Sequence, residues 1–488
     1  MSQATMQWAP AYCLRKGRFT FQHTSVGDTP AFKLVESGEV PAAFVSGTRK
    51  RTTTDPIGYA PTALTGFAIA YVIDRPNNAG EQVELNLNPR LIAKLLTQSY
   101  TGSSLGAQHP GLAKNPMSLN QDPEFAALNP GLDSISREAA ATVLSLSESS
   151  DVIETLTAYL KADPEASAFI KGKADPWGMV VNPSYKGIDL PVSEYPLLDE
   201  FEPKSEQQCR IENPAPYFGQ LAAPVTTLRK ISEAVLDAWP NVQTKCERPN
   251  PAEPYKVGRI DRQGVGARFM LGIVSLGDAQ RYGLRTASLQ TQSSMSPTEK
   301  VTSAEGRTFI APTNASVQAA ARVAKPGKKT AAFSLPMKAL RENPDAYPGA
   351  MIVYTTAKLT GLDKSDAKNV SSFIKIATSE GQVRGSGNGR LPEGYVPITK
   401  GGATAALYQR AQDVAKLIAE QKEPATPVST QGPGAESGPG TTTPDAAGPA
   451  DEVVPDEQVS AGPAVTQTLQ TSPTSADSRG RRRCCCRC

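Results

Sequence analysis

TGFAIAYVIDRPNNAGEQVELNLNPRLIAKLLTQSY, residues 65–100, joins a strand-like run to a helix-like run across a turn rich in Asn and Gly. The apolar stretch that enters it, ALTGFAIAYVI (63–73), has strand length, contains Gly66 and is too short to span a bilayer. NPRLIAKLLTQSY (88–100) has the spacing of an amphipathic helix. The same alternation extends in both directions: FTFQH (19–23) before PAFKLVESG (30–38), then AAFV (42–45), VIETLTAYLKA (152–162), TTLRKISEAVLDAW (226–239), and AMIVYTT (350–356) before NVSSFIKIATSEG (369–381). Strands alternating with helices predict an α/β architecture with mostly parallel sheets. In open α/β sheets ligands bind where loops leave the carboxyl ends of strands, so function is sought in those loops.

Composition narrows the chemistry. The 488 residues suffice for two packed lobes and a tail, and 51 Lys+Arg against 48 Asp+Glu leave a net charge of +3, too weak and scattered to make nucleic acid the partner. The two histidines, His23 and His109, are far apart and lack partners at ligand spacing, which argues against a histidine metal site or a Ser-His-Asp enzyme. No nucleophile with a base at hand is visible, so the chain reads as a binder without cofactor or metal. Gly264-Val265-Gly266 lacks the rest of a dinucleotide fingerprint, and Asp363 with Asp366 reads as a solvated turn. Cys209 and Cys246 can pair, closing a loop worth about 3–4 kcal/mol, or remain thiols.

Three loops carry the candidate site. Ser25, Gly27, Asp28 and Thr29 lie ahead of a short helix ending near Gly38; Asp28 or Thr29 is placed to cap it, and Pro30 suits its first turn. Gly27 allows close backbone approach, and the helix start favours an anion. Ser46 and Gly47 follow the strand-like AAFV. Ser147, Ser149, Ser150 and Asp151 lead into a second helix, with Asp151 and Glu154 spaced like a capping pair. Taken alone, the first and third loops read better as ordinary capped turns, and the second is a weak signal. As a set they are expected to converge on one cleft and aim backbone amides at a shared guest.

The order of these loops resembles that of the phosphate-type solute-binding proteins of ABC importers. So do NLNPRLIAKLLTQSY (86–100), DPEFAALNPG (122–131), GIVSLGDAQRYGLRTASLQ (272–290), GRTFIAPTNASVQAAA (306–321), Tyr347-Pro348, EGQ (380–382) and GYVPI (394–398), which are collinear with the family's landmarks. The resemblance covers about residues 20–400, broken by an insertion at about 172–255. It implies a two-lobed periplasmic-binding-protein fold, each lobe a mostly parallel sheet flanked by helices: lobe one from 1–72 and 346–400, lobe two from 73–345, joined by hinge strands. It further implies a small oxyanion guest, phosphate first, an ABC permease as partner, and an extracellular or cell-surface location like that of surface-attached actinobacterial members. A surface-displayed interaction protein that keeps the fold without transport is the alternative.

The departures are specific. Leu146 stands where the family has an Arg, Ser149 and Asp151 where it has glycines, Gly47 where it has an Asp, and Asp28 where it has a Ser. Asp28, Glu148 and Asp151 would repel a dianion unless they accept its protons or point away. The opening MSQATMQWAPAYCLRKGRF does not show the charged-then-apolar order of a secretory leader, and the chain is expected to begin after the family's first ligand loop. Residues 403–423 read as a surface helix and 424–488, rich in Pro, Gly, Ser and Thr, as a disordered tail; its terminal RRRCCCRC has no second CxxC or His pair to complete a zinc site. Membrane attachment is expected only by association or through a lost anchor.

Overall fold

The strand Ile57–Ile73 is buried at nearly every position, so both of its faces are covered. A strand covered on both faces needs apolar residues consecutively, which explains why the sequence from 57 to 73 shows no alternation. At about 3.3 Å per residue it runs roughly 55 Å and changes partner midway. Residues 57–66 pair antiparallel with Ala350–Lys358, and residues 67–73 pair antiparallel with Phe269–Ser275. The register slips at Pro61, which has no N–H to give the ladder; Thr62 repairs the gap by accepting from Thr355 N (3.1 Å) and sharing a hydroxyl bond with Thr355 (2.7 Å). The expected crossing strands are therefore direct neighbours over half of one continuous ribbon.

The computed structural model describes residues 1–13, 18–102, 106–133, 138–146, 148–212, 227–240, 244–248, 250–294, 299–327 and 332–421. These belong to one compact unit. Ala43–Val45 adds to the outer edge of Ala350–Lys358. Helices Lys364–Ala377 and Ala405–Glu420 pack on each other and on the long strand, the second burying Leu407, Ala411, Val414, Ala415 and Ile418 as its spacing predicts. A smaller sheet joins Asn86–Leu87, Ser288–Ser293 and Arg307–Ile310. Beyond it Thr313 caps helix Asn314–Ala320: its hydroxyl accepts from Ser316 N at 3.1 Å while Ser316 Oγ accepts from Thr313 N at 3.0 Å. Thr313→Ala is expected to lower stability by about 1 kcal/mol, read as a lower urea midpoint at unchanged slope.

The chain is mixed α/β, but the expected predominance of parallel pairing is corrected. Among the described strands, only Asn86–Leu87 with Ser288–Ser293 pairs parallel; the other named pairings are antiparallel. Alternating apolar and amphipathic runs report layers, not strand direction, and here the chain returns along the strand it left by. FTFQH (19–23) is not a strand; Phe19 and Phe21 instead turn their rings onto Tyr12 of helix Ser2–Cys13. Cys209 and Cys246 form a disulfide tying helix Gln208–Glu212 to strand Thr244–Glu247. The tail at 424–488, with RRRCCCRC, lies outside the described residues.

Candidate functional site

Helix Asp28–Ser37 begins at Gly27, whose backbone lies against loop 148–151; a Cβ there would stand 3.2 Å from the Ser149 carbonyl oxygen. The Thr29 and Ser149 hydroxyls share a hydrogen bond of 2.9 Å. Neither Asp28 nor Thr29 caps the helix, contrary to expectation, because the Asp28 carboxylate turns to the other loop. It accepts from the Asp151 amide at 2.8 Å and from the Ser150 hydroxyl at 3.2 Å. Ser150, not the Asp151–Glu154 pair, caps helix Asp151–Lys161 by accepting from Val152 N.

The second loop closes the cluster. Asp151 Oδ2 accepts from the Ser46 amide at 2.5 Å, and Asp151 Oδ1 accepts from Arg49 Nη2. Gly47 lies beside the same carboxylate. The loop is clamped from behind by buried Glu36, which accepts from the amides of Thr52 and Thr53 and the hydroxyl of Thr52. Thus Gly27, Asp28, Thr29, Ser46 and Gly47 are gathered onto Ser149, Ser150 and Asp151, more than a hundred residues further along the chain. Ser25 does not join them: its exposed hydroxyl bonds to Ser2. Ser147 lies outside the described residues.

Arg49 is the functional candidate that sequence reading missed. Its guanidinium holds Asp151 and lies 3.9 Å from Glu154, supplying near loop three the cation that Leu146 does not. The signal was the basic run Arg49-Lys50-Arg51 directly after Ser46-Gly47-Thr48, which overall charge balance hides. Burial pushes the Asp28 carboxyl above its ordinary value, with Arg49 and the Ser150 hydroxyl pulling it back. Chemically the cluster is a set of donors, two amides, hydroxyls and a guanidinium, shaped around oxyanions; the oxyanions it now holds are the carboxylates of Asp28 and Asp151.

Other candidate sites resolve differently. Asp122, Glu124 and Asp175 stand close enough to share a metal ion, but Lys94 Nζ lies 2.7, 3.0 and 2.7 Å from them and supplies the cation itself. His109 is buried against Asp199 at 2.9 Å. Cavities of about 310 Å³ beside Leu276, Thr313 and Gly394, and about 350 Å³ beside Trp8, Tyr12 and Arg18, are not lined by the three loops. No described helix is long and apolar enough to cross a membrane.

No protein-family model matches the chain, and no curated protein matches it significantly. Among solved structures it is similar to a phosphate-binding protein from Stenotrophomonas maltophilia (14% identity, TM-score 0.37, covering 83% of this chain and 91% of that one). It is also similar to a high-affinity periplasmic phosphate-binding protein solved with phosphate (13%, TM-score 0.42, 84% and 90%) and to a possible phosphate-binding protein from Planctomyces limnophilus (10%, TM-score 0.32, 84% and 94%). Likeness this loose assigns neither ligand nor family, and the reading of this chain rests on its own loops.

Proposed function

We propose that the chain is a solute-binding protein that takes a small oxyanion, phosphate first, at the junction of the loops around Gly27, Ser46 and Ser150. The observation that carries this is the donor set: the amides of Ser46 and Asp151, the Ser150 hydroxyl and the Arg49 guanidinium already bond to oxyanions in the form of carboxylates. Donors fixed by a helix start and clamped loops suit an anionic guest because their backbone positions are set before it arrives, leaving only the resident carboxylates to give way. A two-lobed division, 1–72 with 346–400 against 73–345, is part of this reading; what supports a division of this kind is that the long strand changes partner between Gly66 and Phe67, six residues before the bound at 72. Delivery to an ABC permease from an extracellular or surface position completes the reading.

The test is isothermal titration with inorganic phosphate at neutral pH, paired with thermal unfolding. Binding heat is expected, together with a stabilisation that grows logarithmically with ligand, about 2.7 kcal/mol at a hundredfold excess over Kd. Absence of both heat and thermal shift at millimolar phosphate overturns it. The second reading, a surface-displayed interaction protein without transport, is favoured by one observation: the donors are already satisfied within the chain. A permease gene adjoining this one supports transport; a solitary gene with a surface anchor supports the second reading.

A further inference from the structure

Asp28 and Asp151 behave unlike ordinary acids in the first turn of a helix. Such a residue bonds to nearby amides of its own helix and gains from its dipole. Asp28 makes no bond of that kind; its carboxylate crosses to the start of a helix 123 residues later, taking the Asp151 amide and the Ser150 hydroxyl. Asp151 in turn gives its carboxylate to the Ser46 amide and to Arg49. Two acids are thereby brought into a partly enclosed space where Arg49 bonds to Asp151, while Asp28, with no cation bonded to it among the described residues, feels Arg49 and the Met1 ammonium only at longer range, and its burial disfavours its ionisation. The fold holds this arrangement firmly, because Glu36 anchors the Ser46 loop and the Gly27 backbone abuts Ser149.

We infer that Asp28 sets the affinity of the loop site by acting as a built-in competitor, its carboxylate holding the Asp151 amide and the Ser150 hydroxyl against an incoming oxyanion. The inference rests on the loop site proposed above. A guest must displace this carboxylate and then sit beside its charge, so the wild-type protein binds a dianion more weakly than its donors allow. Asp28→Ala frees both donors and removes the charge. Asp28→Asn removes the charge but keeps an acceptor of the same shape.

Titration with inorganic phosphate at neutral pH separates the possibilities, using wild type, Asp28→Ala, Asp28→Asn and Arg49→Met, each first checked for native circular dichroism. Asp28→Ala is expected to bind at least about tenfold more tightly than wild type, equivalent to about 1.4 kcal/mol, with Asp28→Asn between them and Arg49→Met weaker than wild type. If Asp28→Ala fails to fold, the nearly isosteric Asp28→Asn carries the comparison, and tightening there is still required. Should the Asp28 variants bind no more tightly than wild type while Arg49→Met weakens binding, the competitor role is overturned and the loop site stands. If none of the four binds phosphate, the loop site falls and the inference with it.

Discussion

Lys94→Met is expected to lower the unfolding free energy by about 3–5 kcal/mol at pH 7, the usual consequence of removing one partner from a buried ionic network. Lys94 lies on helix Pro89–Leu96 and is wholly buried. Its ammonium bonds to Asp122, Glu124 and Asp175, which are further held by Tyr100, Arg90 and Asn88, and by the amides of Trp177 and Met179. Methionine fills the volume but leaves three carboxylates facing one another with Arg90 as the remaining cation bonded to Glu124. Burial would raise Glu124, yet Lys94 and Arg90 hold it down at about 2, against an ordinary value of 4.5. A depressed carboxyl contributes stability that is fully present above about pH 4.5 and disappears as pH falls toward 2. The difference between wild type and variant should therefore narrow through that window. Urea unfolding of both proteins at pH 7 and pH 3.5 checks this; a loss under about 1 kcal/mol at pH 7 would show that the network contributes little.

That network also shows where sequence reading stops. Residues 94, 122, 124 and 175 are ordinary charged positions one at a time, and charged residues are seldom fully buried. Only the tertiary fold assembles them. Arg49 was hidden in the same way, inside a basic run that a near-neutral total charge made unremarkable. By contrast, the helices at Pro89–Leu96, Asp151–Lys161, Lys364–Ala377 and Ala405–Glu420 and the strand runs at 63–73 and 350–356 were legible, though the strands extend to 57–73 and 350–358, because periodicity and uninterrupted apolar runs are local signals. Strand direction was not legible, since it depends on how the chain returns. The loop residues Gly27, Ser46 and Ser150 could be picked out by residue type, but the partner each would choose could not. Asp28 had an adequate local role as a cap and took a distant one, where the Asp151 amide and Ser150 hydroxyl were both within reach.

Gly394→Ala is expected to destabilise the protein by about 2–5 kcal/mol, combining the cost of a left-handed alanine with that of overpacking. Gly394 has φ +83°, and a Cβ there would lie 2.5 Å from the carbonyl carbon and oxygen of Leu276 and 2.6 Å from the Gly277 Cα. Those are backbone atoms at the start of helix Leu276–Arg281, so no side chain can swing aside. On its other flank Gly394 is tied to the long strand: its carbonyl accepts from the Thr65 hydroxyl at 2.8 Å, and Val396 exchanges backbone bonds with Leu64. The segment is thus held between a strand it must pair with and a helix start it must touch, leaving glycine alone able to fit. Gly131→Ala separates the two contributions. Gly131 has φ +89° but nothing within 4 Å of its would-be Cβ, so that variant should lose only the conformational part, about 1–2 kcal/mol. Equal losses in the two variants by urea unfolding would mean that the chain at 394–398 yields without penalty, and that its contact with Leu276 and Gly277 does not hold it on the long strand.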